Sequence, residues 1–102
     1  MSSTVELVGR LGKVVDHKVL PSGDQLTTFS VVVDRKVSEQ IGRTTFDTIP
    51  CQTSRVSLAS KVSQWEAGTE VIAQGVLRRR FWRSESGLGS ALEVDVRALK
   101  KA

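Results

Sequence analysis

"EVIAQGVLRRRFWRSESGLGSALEVDVRAL", residues 70 to 99, decides the fold of this chain. In its first half Val71, Ala73 and Leu77 share one parity, while Arg78, Arg80 and Trp82 share the other. Successive side chains of a strand point to opposite faces. The pattern therefore predicts a long strand with an apolar stripe on one side and an arginine–tryptophan stripe on the other. "SESGLGS" reads as a flexible loop. Leu92, Val94 and Val96 then alternate against Glu93, Asp95 and Arg97, which predicts a further strand. Adjacent arginines repel one another, and a core has no use for Arg80 or Arg83 beside Phe81 and Trp82. A polyanion with flat faces would account for both the charge and the rings.

Upstream, "TVELVGRLGKVVDHKVL" has the period-two pattern of a strand, with Gly9 and Gly12 placed to let it coil sharply. "PSGD" marks a turn, and "QLTTFSVVVD" follows as a β-branched strand with Phe29, Val31 and Val33 on one face. These two strands read as a hairpin. "RKVSEQIGR" reads as an exposed loop and "TTFDTIPC" as a third strand, with Pro50 near its end. "TSRVSLASKVSQW" changes to helical spacing, with Val56, Ala59 and Val62 in step, Leu58 beside them, and Thr53 or Ser54 as the cap. Gly68 in "EAGT" ends it. The order is β-β-β-α-β-β, which describes an all-β, five-stranded Greek-key barrel with one short helix between strands three and four, the OB-fold.

The 102 residues suit one domain, spanning 1–102, with one core. No apolar run is long enough for a membrane span, and the start has no signal-peptide h-region, so a cytoplasmic location is expected. The single Cys51 has no internal partner. The net charge is +4 and the pI about 9.7. The positive charge is unevenly spread. Arg78, Arg79, Arg80 and Arg83 form one cluster, and Arg35, Lys36 and Arg43 form another in the loop. His17 has no second ligand at metal spacing. No nucleophile–base pair, metal cluster or phosphate loop is present in sequence, so neither an enzyme, a metal nor a cofactor is expected.

Several pieces together resemble the bacterial single-stranded DNA-binding protein family. They are "VELVGRLG", "PSG" before a Phe-Ser-Val strand, "TTFDTIPC", "EAGTEVIAQGVLRRRFWRSESG" and "ALEVDV", in the family's order and at its spacings. The resemblance implies sequence-tolerant binding of single-stranded DNA in replication, recombination or repair, by a homotetramer or a dimer. Family members commonly stack bases on aromatics at several places, of which Phe46 and Trp82 are kept. Another falls at Arg35 or Lys36, and another at Gln52, which shifts the balance from stacking toward charge. The expected binding residues are Phe46, Trp82, Arg78, Arg80, Arg83, Arg35, Lys36, Arg43 and, in the opening strand, Arg10. Many members also carry an acidic tail that recruits repair and replication proteins. No acid follows Asp95 here, so recruitment through such a tail is not expected. The alternative is an interaction module like the primosomal replication protein of the same superfamily, with weak single-strand binding.

Parity supports these assignments, because Phe46 and Trp82 both fall on the less apolar faces of their strands. Ile72 and Val76 share the Trp82 side, which suggests a subunit contact over that part of the face. Trp65 and Phe29 read as core residues and Cys51 as a small buried one. Asp47, odd in an apolar strand, faces a subunit boundary or pairs with an arginine.

Overall fold

The computed structural model of the chain describes residues 3–13 and 15–102, so Met1, Ser2 and Val14 lie outside the described residues. The strands are β1 (Thr4–Leu11), β2 (Asp16–Val19), β3 (Gln25–Asp34), β4 (Phe46–Thr53), β5 (Glu70–Ser84) and β6 (Gly87–Lys101). A helix α1 (Val56–Gln64) lies between β4 and β5, and a single 3-10 turn (Val37–Glu39) lies in the loop after β3. The sheet order is β1-β5-β6-β4-β3-β2, and a β1–β3 pairing closes the ring.

The first expected strand is two segments. Both pair with β3: β1 through Arg10 opposite Val32 and Leu11 opposite Val31, β2 through residues 16–19 opposite 25–28. They are two halves of one bent strand. The bend needs close backbone approach. A Cβ on Gly9 would collide with the Val32 carbonyl, and one on Gly12 with the Ser30 hydroxyl. The β2–β3 hairpin closes through the Leu20 amide on the Asp24 carbonyl at 2.8 Å.

Val31, Val71, Ala73, Val94 and Val96 are fully buried, with Phe29, Cys51 and Leu99 beside them. Val96 and Leu99 differ in parity, yet both face inward. The register between β5 and β6 shifts at Gln74/Gly75, where Arg97 is skipped, and this bulge turns the rest of β6 over. The helix covers the barrel with Leu58 and Val62, and Trp65 packs against the same core. Val56 instead points to solvent. The helix's inward stripe is therefore Leu58–Val62, one turn apart, and not the Val56–Ala59–Val62 row. Its N-cap is Arg55, with no side-chain cap bond. Thr53 accepts the Arg55 amide at 3.1 Å, which shapes the turn ahead of the helix instead of capping it.

Pro50 lies inside β4, opposite Ser30. β6 meets β4 only at Cys51 and Gln52, so the strand's second edge is open at Pro50 and a missing amide is tolerated there. "SESGLGS" is not a loose loop. β5 and β6 pair to Ser84 opposite Gly87, around a turn of Glu85 and Ser86. The positive φ of 121° falls on Gly87, where glycine adopts it without steric cost.

His17 joins three elements. Its ring nitrogens lie 2.9 Å from the Thr27 hydroxyl and 3.1 Å from that of Ser63 on α1. Burial pushes the Cys51 thiol up to about 12, so it stays protonated and inert at neutral pH. In native protein at pH 8, Cys51 is expected to resist iodoacetamide and to react fully once unfolded in urea. Mass spectrometry of the alkylated chain checks this.

Candidate nucleic-acid interface

β3 and β4 pair along their length and present one outer face, and β6 joins β4 at Cys51 and Gln52. Phe46, Thr48 and Pro50 are exposed on β4, and a groove beside them is lined by Thr28, Ser30, Thr48 and Pro50. β4 and β6 run parallel with Cys51 level with Val94. Phe46 has the parity opposite to the buried Cys51 of its strand. Gly89 lies directly opposite Trp82. Both rings carry the outward parity of their strands, with Phe46 50% and Trp82 42% exposed.

Trp82 has a prepared seat. A Cβ on Gly89 would stand 2.5 Å from Cε2 of the indole, so only glycine lets the ring lie there. The Arg80 guanidinium sits 5.5 Å from the ring centroid, a cation–π distance. Arg80 is itself held, with Nε 3.3 Å from Oε1 of Glu93. The Glu93 side chain is 6% exposed, and that oxygen accepts no hydrogen bond. Arg80 therefore neutralises Glu93 and flanks Trp82, which leaves it less free for phosphate than Arg78. Arg78 is exposed and stands opposite Glu93 in the register.

The other expected cations divide. Arg10 binds Asp34 through two bonds of 2.8 and 3.2 Å. Arg35 binds Asp47 through Nε at 2.9 Å and Nη2 at 2.7 Å, so of the two readings of Asp47 the arginine pair is the one observed. Hydrogen bonds from these guanidinia, then their charge, hold both carboxyls below the usual aspartate range. That contribution to stability is present above the usual aspartate value and is lost as pH falls through the lowered one. Lys36 and Arg43 are exposed in the loop after β3. Among the described residues neither has a carboxylate partner. Arg83 faces away from Trp82, on the Phe81 side of the ribbon.

Asp47→Asn should release Arg35. Affinity for a polyanion at low salt should rise, and the slope of log K against log salt should steepen by about 0.7 if Arg35 then takes one phosphate of a single strand. A salt series on wild type and variant measures this; lower affinity would make Arg35 a purely structural residue.

Sequence reasoning missed Gly89 and Glu93. The glycine spacing after the arginines read as flexibility, and Glu93 read as an ordinary solvent-facing member of an alternating strand. Cross-strand pairing of the two halves of the quoted segment would have placed Gly89 against Trp82. Among the described residues no cluster of metal-ligating side chains occurs, and no helix is long and apolar enough to cross a membrane.

A closed ring of five strands with a helix between the third and fourth, with exposed aromatics and arginines on its strands, is an OB-fold, an architecture that suits oligonucleotides. The profile of the Single-strand binding protein family matches residues 2–101, and the chain belongs to that family. It is 30% identical over 87 residues to Single-stranded DNA-binding protein A of Bacillus subtilis, a match covering 85% of this chain and 51% of the relative. The chain thus spans about half the length of that relative. A Plasmodium falciparum SSB solved in complex with ssDNA superposes with a TM-score of 0.77 at 22% identity, over 100% of this chain and 96% of that one. That likeness bears on the fold.

Proposed function

We propose that this chain is a non-catalytic domain, residues 1–102, that binds single-stranded DNA with little sequence preference in replication, recombination or repair. Phe46 and Trp82 stack on bases, and arginines of the same surface contact phosphates. The exposed Trp82 ring seated over Gly89 and beside Arg80, on the outward parity of its strand as Phe46 is of its own, is the observation that carries this reading. Stacking tolerates any base, because every base has a π-face. Phosphate contacts carry no sequence information. Titrating poly-dT against intrinsic tryptophan fluorescence at several salt concentrations tests it. Quenching with salt-dependent affinity is expected, and no binding at low salt would reject it.

A homo-oligomer, tetramer ahead of dimer, fits the outer face of β1 and β5. There exposed Val8 lies opposite half-buried Ile72, and half-buried Val76 lies opposite Thr4. Such a row on an outer face favours a symmetric contact. Light scattering at micromolar protein should report a mass above that of one chain. A monomer would reject the assembly.

The Arg10–Asp34 and Arg35–Asp47 pairs favour the second reading, because they remove positive charge from the surface. In that reading the chain is chiefly an interaction module for replication proteins and binds single strands weakly. Quantitative single-strand binding beside a pull-down on replication proteins separates the two.

A further inference from the structure

Residues directly opposite one another in a strand pair share a face. On the Trp82 face of β5 and β6 the opposing pairs are Arg78 with Glu93, Arg80 with Ala91 and Trp82 with Gly89. Toward the turn the β6 side chain thus shrinks from a carboxylate to a methyl group to a hydrogen. The two large β5 side chains lean into the space that this leaves. The indole lies against Gly89, and Arg80 reaches past Ala91 to Glu93.

Glu93 has two arginines within its reach in the register and pairs with one. Arg78 stands directly across from it, yet the ion pair goes to Arg80. Arg78 has no carboxylate partner among the described residues. The Glu93 side chain is 6% exposed, and its Oε1 accepts no hydrogen bond. The charge of Arg80 is therefore what compensates that oxygen. Taking one partner from a buried ion pair leaves an uncompensated charge and is costly, so Glu93 resists any departure of Arg80. The Arg80 side chain is 50% exposed, and the end that Glu93 holds is Nε. A planar guanidinium held at one edge has its plane restricted. That same plane stands 5.5 Å from the centroid of Trp82.

We propose that Glu93 is a positioning residue for stacking on Trp82. It holds Arg80 against the indole, so that the ring is fixed before a base arrives, and it keeps Arg80 a support for the ring instead of a phosphate ligand. Glu93 itself touches no nucleic acid. This rests on the single-strand reading above. The sign of its effect separates positioning from simple electrostatics. A carboxylate near a polyanion site repels the polyanion, so neutralising it should raise affinity. Positioning requires that neutralising Glu93 lower it.

The test is Glu93→Gln in the full chain, with anisotropy of labelled oligo-dT at several salt concentrations. Affinity should fall about 2- to 10-fold, because binding then has to order one more side chain. The salt slope should stay that of wild type, since no phosphate contact is lost, whereas Arg78→Ala should flatten it by about 0.7. Adding Glu93→Gln to Arg80→Ala should bring no further loss, because without Arg80 there is nothing for Glu93 to position. The double variant buries no unpaired charge, so it carries the test at a temperature where Glu93→Gln alone is unfolded. In a Trp65→Phe background Trp82 is the one tryptophan. Its fluorescence anisotropy in the free protein should fall on Glu93→Gln, and acrylamide should quench it more. Equal or higher affinity in Glu93→Gln overturns the proposal, and a steeper slope with it would make Glu93 a restraint that withholds Arg80 from phosphate. A further loss in the double variant, or a Trp82 ring as immobile as in wild type, overturns it too. If wild type binds no oligo-dT at low salt, the single-strand reading fails, and the Trp82 anisotropy still reports whether Glu93 fixes the ring.

Discussion

Trp82→Ala is expected to bind oligo-dT about 5- to 150-fold more weakly than wild type, the equivalent of losing one stacked base at about 1–3 kcal/mol. Its melting curve should not move. The indole stands on the outer face with nearly half its surface in solvent, so its removal opens no cavity in the core. What disappears is a flat ring held in place before any ligand arrives, over Gly89 on one side and beside Arg80. That preparation keeps the entropic cost of ordering the ring low on binding. Anisotropy of labelled oligo-dT measures the loss without relying on the fluorescence of the deleted tryptophan. Wild-type affinity in the variant would remove Trp82 from the interface. Trp65→Ala should behave in the opposite way. Trp65 packs against the core, with Lys61 and Lys101 at 6.0 and 5.4 Å from its ring. Its loss should lower stability first and affinity only as a consequence.

Phe29→Ala should lower stability by about 3–5 kcal/mol, the usual loss for an aromatic deleted from a packed interior. Phe29 is buried in the cluster with Val31, Cys51 and Val94. A domain of this kind is stable by only about 5–15 kcal/mol in total. The variant should therefore unfold at much lower urea, with part of the population unfolded at growth temperature. Equilibrium urea unfolding followed by circular dichroism measures it. A change under about 1 kcal/mol would mean that Phe29 is not seated as a core residue. At a temperature where the variant is still folded, its single-strand affinity should match wild type, because Phe29 faces inward from β3 while the proposed stacking residues lie outside.

The strands, their order and the place of the helix were legible because β-branched residues alternate with polar ones over long runs. The identity of the inward face was legible for the same reason at Phe29, Val31, Val71, Ala73, Val94 and Val96. The Asp47 pairing could be anticipated as one of two possibilities, since a carboxylate in an apolar strand needs a partner. The split of the first strand and the helix stripe were not legible. Gly9 and Gly12 leave room for the chain to bend there, but the other side of the bend, at Val32 and Ser30, is distant in sequence. Likewise Val56, Leu58 and Val62 are all apolar, and only the position of the barrel end selects Leu58 and Val62.

By itself the sequence determined parity: which side chains of the quoted segment share a face, and that Trp82 lies with Arg78 and Arg80, opposite Val71, Ala73 and Leu77. Tertiary structure alone decided how far each face is covered. Phe81 has the parity of the core, so alternation assigns it inward. It is exposed because Ser3 and β1 reach no further along β5 than Leu77, and β4 pairs with β6 at Val94 and Asp95, which leaves the end of the ribbon without a neighbouring strand. In the same way Glu93 has the parity of the solvent side and is buried, because Arg80 folds over it. Parity is a property of one strand and its covalent geometry. Burial depends on which other strands arrive beside it, and those lie far away along the chain.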